Sequence, residues 1–243
     1  MTLSSYGGKE DILVLKSDGT GLRRLTDDGF RNRGPTVSPD GRKILFYSDR
    51  GGGYDAWTVD VDGIGLSPVT RSRVGNTLVS PVWSPDGKTI AAGGVDGQRL
   101  LLLPYPRSPE DPLPAPAPPP GEGLGCNPRS WSPDSRRVAA TALRANGSPA
   151  GVLVYDVDKR SYRRVTETGS EPVFLRDGRR IAFQDGNVLK IVDTGSGRTR
   201  EILRGDERRV LSSFALSPDD EDLFVIWSVT QADLWLMDLR PRK

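Results

Sequence analysis

Apolar residues recur at every second position in five stretches: Ile44 and Phe46, Ile90 and Ala92, Val138 and Ala140, Ile181 and Phe183, Leu223 and Val225. A two-residue period belongs to a strand with one buried face. Each stretch opens four residues after an aspartate, namely Asp40, Asp86, Asp134, Asp177 and Asp219. Three residues before each aspartate stands another apolar side chain: Val37, Trp83, Trp131, Phe174 and Leu216. Between the two apolar flanks lies one phrase, Ser38-Pro39-Asp40-Gly41, Ser84-Pro85-Asp86-Gly87, Ser132-Pro133-Asp134-Ser135 and Ser217-Pro218-Asp219-Asp220, with Leu175-Arg176-Asp177-Gly178 as a divergent copy. Pro presets φ and Gly tolerates left-handed dihedrals, so each phrase predicts the tip of a hairpin between two short strands.

The aspartates follow one another at steps of 46, 48, 43 and 42 residues. A third strand is predicted over 55–61, 151–157, 187–192 and 232–239, and a more polar fourth over 65–70, 161–166 and 198–203. Four antiparallel strands in a repeat of this length predict an all-β chain, a β-propeller of four-stranded blades. No window carries a sustained helical period, which argues against a helical solenoid.

The repeat resembles the WD-like unit of the TolB β-propeller family, on Trp83-Ser84-Pro85-Asp86-Gly87-Lys88-Thr89-Ile90-Ala91 and on the segment from Asp11-Ile12-Leu13-Val14-Leu15 through Asp18-Gly19 to Gly21-Leu22-Arg23-Arg24-Leu25-Thr26. The likeness runs from about Leu3 to Leu239. It implies a non-catalytic scaffold that binds a protein or peptide partner on the loop face around the central channel, as TolB does for its envelope partners. Two alternatives stay open. One is a propeller enzyme of lactonase type with an axial calcium site, for which Asn76, Asn127 and Glu171 would be the ligands. The other is a gating propeller separated from a prolyl oligopeptidase-like hydrolase.

Residues 1–243 are expected to form a single domain of six blade sectors, incomplete at the termini, with five blades as the second choice. Residues 3–26 align with the end of a second strand, a third and a fourth, so the amino-terminal sector is predicted to lack its inner strand. Residues 104–120 hold nine prolines, followed by Gly121, Gly123 and Gly125. Prolines at that density cannot serve a ladder, so 104–125 is read as a surface loop, with no proper outer strand in its blade.

Charge narrows the classes of partner. With 34 basic and 32 acidic residues the net charge is +2, too small for a nucleic-acid or membrane field. No run of 18 apolar residues predicts a membrane span. The opening residues lack a signal peptide's apolar core, which fits a cytoplasmic chain as it stands, whereas the family resemblance implies the periplasm; the compartment stays undecided. A monomer is expected.

The chemistry of catalysis is thin. The chain has no histidine and one cysteine, Cys126, which removes Ser-His-Asp and Cys-His catalysis, histidine metal sites and zinc clusters. No enzyme activity, cofactor or resident metal is therefore expected. Arg204-Gly205-Asp206 and Asn146-Gly147-Ser148 match short adhesion and glycosylation motifs, yet both read as hairpin turns.

Loops before the inner strands should gather on one face: 27–34, 71–80, 121–130, 167–171 and 204–213. They carry Arg31, Asn32, Arg33, Arg73, Asn76, Asn127, Arg129 and Arg208, the candidate binding residues, with Arg71 and Arg209 beside them. Arginine's planar fork suits carboxylate and polar peptide partners.

Overall fold

The structure is a computed structural model that describes residues 2–4, 10–16, 18–71, 77–94, 99–121, 123–217 and 219–229. All regular structure in them is β, arranged as antiparallel sheets that follow the chain in order. The first sheet joins β1 (Thr2–Ser4), β2 (Ile12–Val14) and β3 (Arg23–Arg24). The second runs β4 (Asn32–Val37), β5 (Lys43–Ser48), β6 (Asp55–Asp60) and β7 (Ser67–Pro68). The third has β8 (Val79–Trp83), β9 (Thr89–Gly93) and β10 (Leu100–Pro104). Four strands recur in the fourth sheet, β11 (Gly125–Trp131), β12 (Arg137–Leu143), β13 (Pro149–Asp156) and β14 (Ser161–Thr166). The fifth repeats them as β15 (Ser170–Phe174), β16 (Arg180–Asp185), β17 (Val188–Asp193) and β18 (Thr199–Arg204). The sixth pairs β19 (Arg209–Leu216) with β20 (Leu223–Val229). The strand predicted over 232–239 lies outside the described residues. The first strands β4, β8, β11, β15 and β19 touch in that order, which is the inner rim of a propeller, while β1 packs on β4 as the second strand of a sector with no inner strand among the described residues.

Five apolar clusters alternate with the six sheets. Ile12 and Leu25 meet Ile44, Phe46 and Val59; Leu45, Ala56 and Val69 meet Trp83, Ile90 and Leu103. Val82, Ala91 and Leu100 meet Trp131, Val138 and Ala140; Ala139, Val152 and Val154 meet Phe174, Ile181 and Phe183. Leu175, Ala182 and Leu189 meet Leu211 and Phe214. The alternate-position pattern captured one face of each second strand. The other face is buried too, because Leu45, Ala91, Ala139 and Ala182 fill the gap on the far side. The second to fifth sheets are thus sandwiched, and small residues on one face let neighbouring sheets approach.

Val37 departs from this rule. Its counterparts Trp83, Trp131 and Phe174 are buried, whereas Val37 is 44% exposed.

The anchor phrase works as a closed hydrogen-bonded unit. Ser84 N–H donates to Thr89 O at 2.8 Å and Gly87 N–H to Ser84 O at 2.9 Å. The Ser84 hydroxyl donates to Asp86 at 2.6 Å and accepts from Thr89 N–H at 2.9 Å. Ser38 and Ser217 bond in the same way. These hydroxyls and the neighbouring backbone N–H groups hold Asp40, Asp86 and Asp219 below the usual carboxylate range. Where the fourth residue is not glycine, it ties two sheets together. The Ser135 hydroxyl accepts from Asp86 N–H at 3.2 Å, and Asp220 from Arg176 N–H at 2.6 Å.

A second repeated device closes the outer edge. Thr26 donates to Asp11 while accepting from Ile12 N–H, and Thr70 does the same with Asp55 and Ala56. In the fourth sheet Thr166 still accepts from Val152 N–H at 3.0 Å, but Gly151 stands where the aspartates were. Gly151 has φ +106°, and an added Cβ would collide with the Thr166 carbonyl oxygen. Gly151→Ala is therefore expected to destabilise the fold by roughly 3 kcal/mol in urea denaturation. Gly147→Ala, which has open space around it, should cost only about 1 kcal/mol for its left-handed φ. Equal losses would show that the collision is relieved by an easy local shift.

The proline-rich segment does not loop away. Tyr105 and Leu113 pack on the cluster around Trp83, and Ala117 is 7% exposed inside the cluster around Trp131. Ala117 N–H donates to Leu100 O at 2.7 Å, along the free edge of β10. The third sheet has no fourth strand among the described residues, and the proline segment covers the edge such a strand would occupy. Residues without N–H groups can still cap an edge by apolar contact and an occasional bond, which the ladder-based expectation left out.

Candidate functional site

Each of the rim strands β4, β8, β11, β15 and β19 carries a bulge near its start, where the register shifts. Left-handed residues mark three of them: Gly34 at φ +59°, Ser80 at +50° and Glu171 at +54°, each followed by proline. A bulge turns the strand and re-aims the side chains beside it, here at the mouth of the rim. The rim strands are longer than expected. Asn32 and Arg33 lie on β4, and Asn127 and Arg129 on β11, rather than in loops.

Asn32 is fully buried and structural. Its amide donates to Thr26 at 3.2 Å and Asp28 at 3.1 Å, and its carbonyl accepts from Arg50 at 2.8 Å. Arg50, which the sequence pattern did not single out, is the hub of this corner. Its side chain is 9% exposed, pairs with Asp28 at 2.7 Å and stacks over Trp57 at 4.9 Å. A dense set of local carboxylates and aromatics was its only signal. Arg33 grips Glu10 with Nε and Nη2, the latter at 2.7 Å, and lies over the Tyr54 ring. That bond holds Glu10 below its ordinary range and raises Arg33 further.

Arg129 and Glu171 form an ion pair from β11 to β15. Glu171 N–H donates to Thr141 Oγ1 at 3.1 Å, which fixes its left-handed backbone. Asn127 Oδ1 and Arg129 Nε are buried beside it without partners among the described residues. Arg71 pairs with Glu110 of the proline segment at 3.0 Å, and Arg209 with Asp206 at 3.2 Å. Arg73 and Asn76 lie outside the described residues. Arg31 and Arg208 are exposed, and each uses its backbone N–H on a carboxylate, Asp49 at 2.9 Å and Asp206 at 2.8 Å. Their guanidinium groups bond nothing among the described residues.

The structure therefore divides the expected set. Asn32, Arg33 and Arg129 are committed inside the protein, and Arg31 and Arg208 are presented to solvent. No cluster of three His, Cys, Asp or Glu side chains that could hold a metal occurs among the described residues, and Glu171, the carboxylate of the calcium alternative, is neutralised by Arg129. The two short motifs are turns: Asp206 accepts from Arg208 and Arg209 N–H, and Asn146 from Ser148 N–H. No helix among the described residues is long and apolar enough to cross a membrane.

Residues 1–100 match the family described as TolB beta propeller domain. The chain is 33% identical over 84 residues to Tol-Pal system protein TolB of Rhizorhabdus wittichii, a stretch covering 34% of this chain and 18% of that protein. It spans less than a third of the length of the curated relatives it first matches. Among solved structures it is similar to TolB from Acinetobacter baumannii (TM-score 0.67, 18% identity, 91% of this chain and 60% of that one). It is also similar to oligogalacturonate lyase from Vibrio parahaemolyticus (TM-score 0.63, 13% identity, 89% of this chain and 65% of that one). At such identities the structural likenesses establish the fold alone. The fold is that of a β-propeller, and its first 100 residues are similar to the TolB propeller domain.

Proposed function

We propose that the chain is a non-catalytic scaffold that holds a protein or peptide partner on the rim face, around the channel mouth. The observation that carries this reading is the contrast between locked and free arginines. Internal pairs fix the rim, and the exposed, unpaired forks of Arg31 and Arg208 stand on a frame that cannot collapse around them. Free forks can take a carboxylate without breaking an internal pair, which favours binding of an acidic surface. The likeness to a Tol-Pal system protein supports assembly with other proteins. The oligogalacturonate lyase likeness rests on fold, and one fold serves many functions.

The test is charge reversal at the free forks. Arg31→Glu with Arg208→Glu is expected to leave the melting curve in place and abolish partner cross-linking to the rim face, read by mass spectrometry of cross-linked peptides. Arg33→Ala, by contrast, should lower the melting temperature. Unchanged cross-links in the double variant, or turnover of an oligogalacturonide by the purified protein, would refute the scaffold reading.

A further inference from the structure

The face opposite the rim, where the anchor turns lie, carries a second feature. A cavity of about 430 Å³ lies on the fourth sheet, on the side from which it reaches the fifth, lined by Arg137, Val154, Asp156, Lys159, Ser161 and Arg163. Three cations face two carboxylates there, Asp156 and Asp134, the latter 3.6 Å from Arg137 Nη2. Arg137 and Arg163 reach across from the fourth sheet and are pinned to turn carbonyls of the fifth, Arg137 Nη2 to Gly178 O at 2.9 Å and Arg163 Nη1 to Thr194 O at 2.6 Å. Arg137 is further held over the Phe174 ring. One donor per fork is spent on the protein. Arg137 Nη1, Arg163 Nε and Nη2 and the Ser161 hydroxyl have no partner among the described residues.

We infer that this cavity is an oxyanion site that takes a phosphate group, either free or carried on a peptide. Fixed guanidinium forks with spare N–H donors match tetrahedral oxyanions, and a neighbouring hydroxyl supplies a further donor. A cleft with an excess of positive charge also concentrates anions before they bind. The fold alone does not produce this chemistry. The gap between the second and third sheets is lined by Asp40, Asp86, Lys43, Trp83 and Tyr105, and Lys43, the counterpart of Arg137, is paired with Asp60 at 2.6 Å. In the fourth sheet Asp156 pairs with Lys159 instead, at 3.3 Å, and Arg137, with Asp134 at 3.6 Å, reaches across to Gly178 O. Residue choice within one repeated frame sets an acidic gap in one place and three cations against two carboxylates in another.

The experiment uses the full chain with inorganic phosphate and sulfate, against chloride at matched ionic strength, followed by thermal melting and calorimetric titration. A ligand of the native state alone raises the melting temperature by mass action. Phosphate and sulfate should do so and chloride should not. Lys159→Gln with Arg163→Gln should bind phosphate at least about tenfold more weakly, the loss expected for removed charged hydrogen bonds. Lys43→Gln, in the acidic gap, should bind as the parent does. Arg137→Gln gives an independent check, although its tie to Gly178 O makes a lower starting stability expected. A phosphoserine peptide that binds more tightly than phosphate itself would identify the source as a modified protein, and equal binding a free anion. No phosphate-specific shift, or the same affinity in the Lys159 and Arg163 variant, would overturn the inference. The rim-face reading stands or falls separately, since it concerns the other end of the propeller.

Discussion

Trp131→Ala should lower the melting temperature by about 10 °C, a loss of roughly 3–5 kcal/mol. Trp131 is 7% exposed, fills the gap against Val82, Ala91 and Leu100, and donates its indole N–H to Val82 O at 3.2 Å. Truncation leaves a cavity between two sheets and an unsatisfied rim carbonyl. Trp83→Ala should be similarly damaging, since Trp83 fills the preceding gap and meets Tyr105 edge-on at 4.6 Å. The phenylalanine variants separate packing from hydrogen bonding. Trp83 Nε1 has no partner among the described residues, so Trp83→Phe forfeits only packing, whereas Trp131→Phe also forfeits a bond worth about 1 kcal/mol. If both alanine variants melt within two degrees of the parent, neither indole supports the ring as described.

Much of the propeller was legible because its repeat is built from local chemistry. The serine, aspartate and glycine of each anchor satisfy one another within a few residues, so their spacing in sequence reports the hairpin directly. β14 occupies the predicted span 161–166. The sandwiching of the internal sheets was harder to read, since Ala91, Ala139 and Ala182 are too small to register as a second apolar face. The cross-sheet ties were written as exceptions: Ser135 and Asp220 replace the glycine of the phrase, and both hold left-handed backbone to reach the preceding turn. The rim site was less legible. Arg31, Arg33, Arg129 and Arg208 look alike in sequence, and only tertiary partners, Glu10 for one and Glu171 for another, divide the locked from the free. Arg50 and the Arg137–Arg163 cavity depend on groups 18 to 41 residues away, beyond any local pattern.

Excising residues 107–122 and bridging the ends with Gly-Ser should destabilise the protein by roughly 3 kcal/mol or more. Loop-closure entropy alone would make such a deletion almost neutral, because shortening a flexible loop changes its closure cost little. Burial decides the outcome. The excised stretch includes Leu113, packed on the cluster around Trp83, and Ala117, buried against Leu100. Returning a leucine and an alanine to water, while uncovering the β10 edge they shield, outweighs the entropic gain. The exposed edge would also present unpaired backbone groups to other chains, so the deleted protein should self-associate at high concentration as well as melt earlier. Circular dichroism melts and light scattering measure the two effects. An unchanged melt with no association would mean that the segment merely lies on the surface, as its proline content alone suggested. A milder variant sharpens the point: Ala117→Asp, which keeps the segment and places a charge at its buried residue, should lose a large part of the same stability.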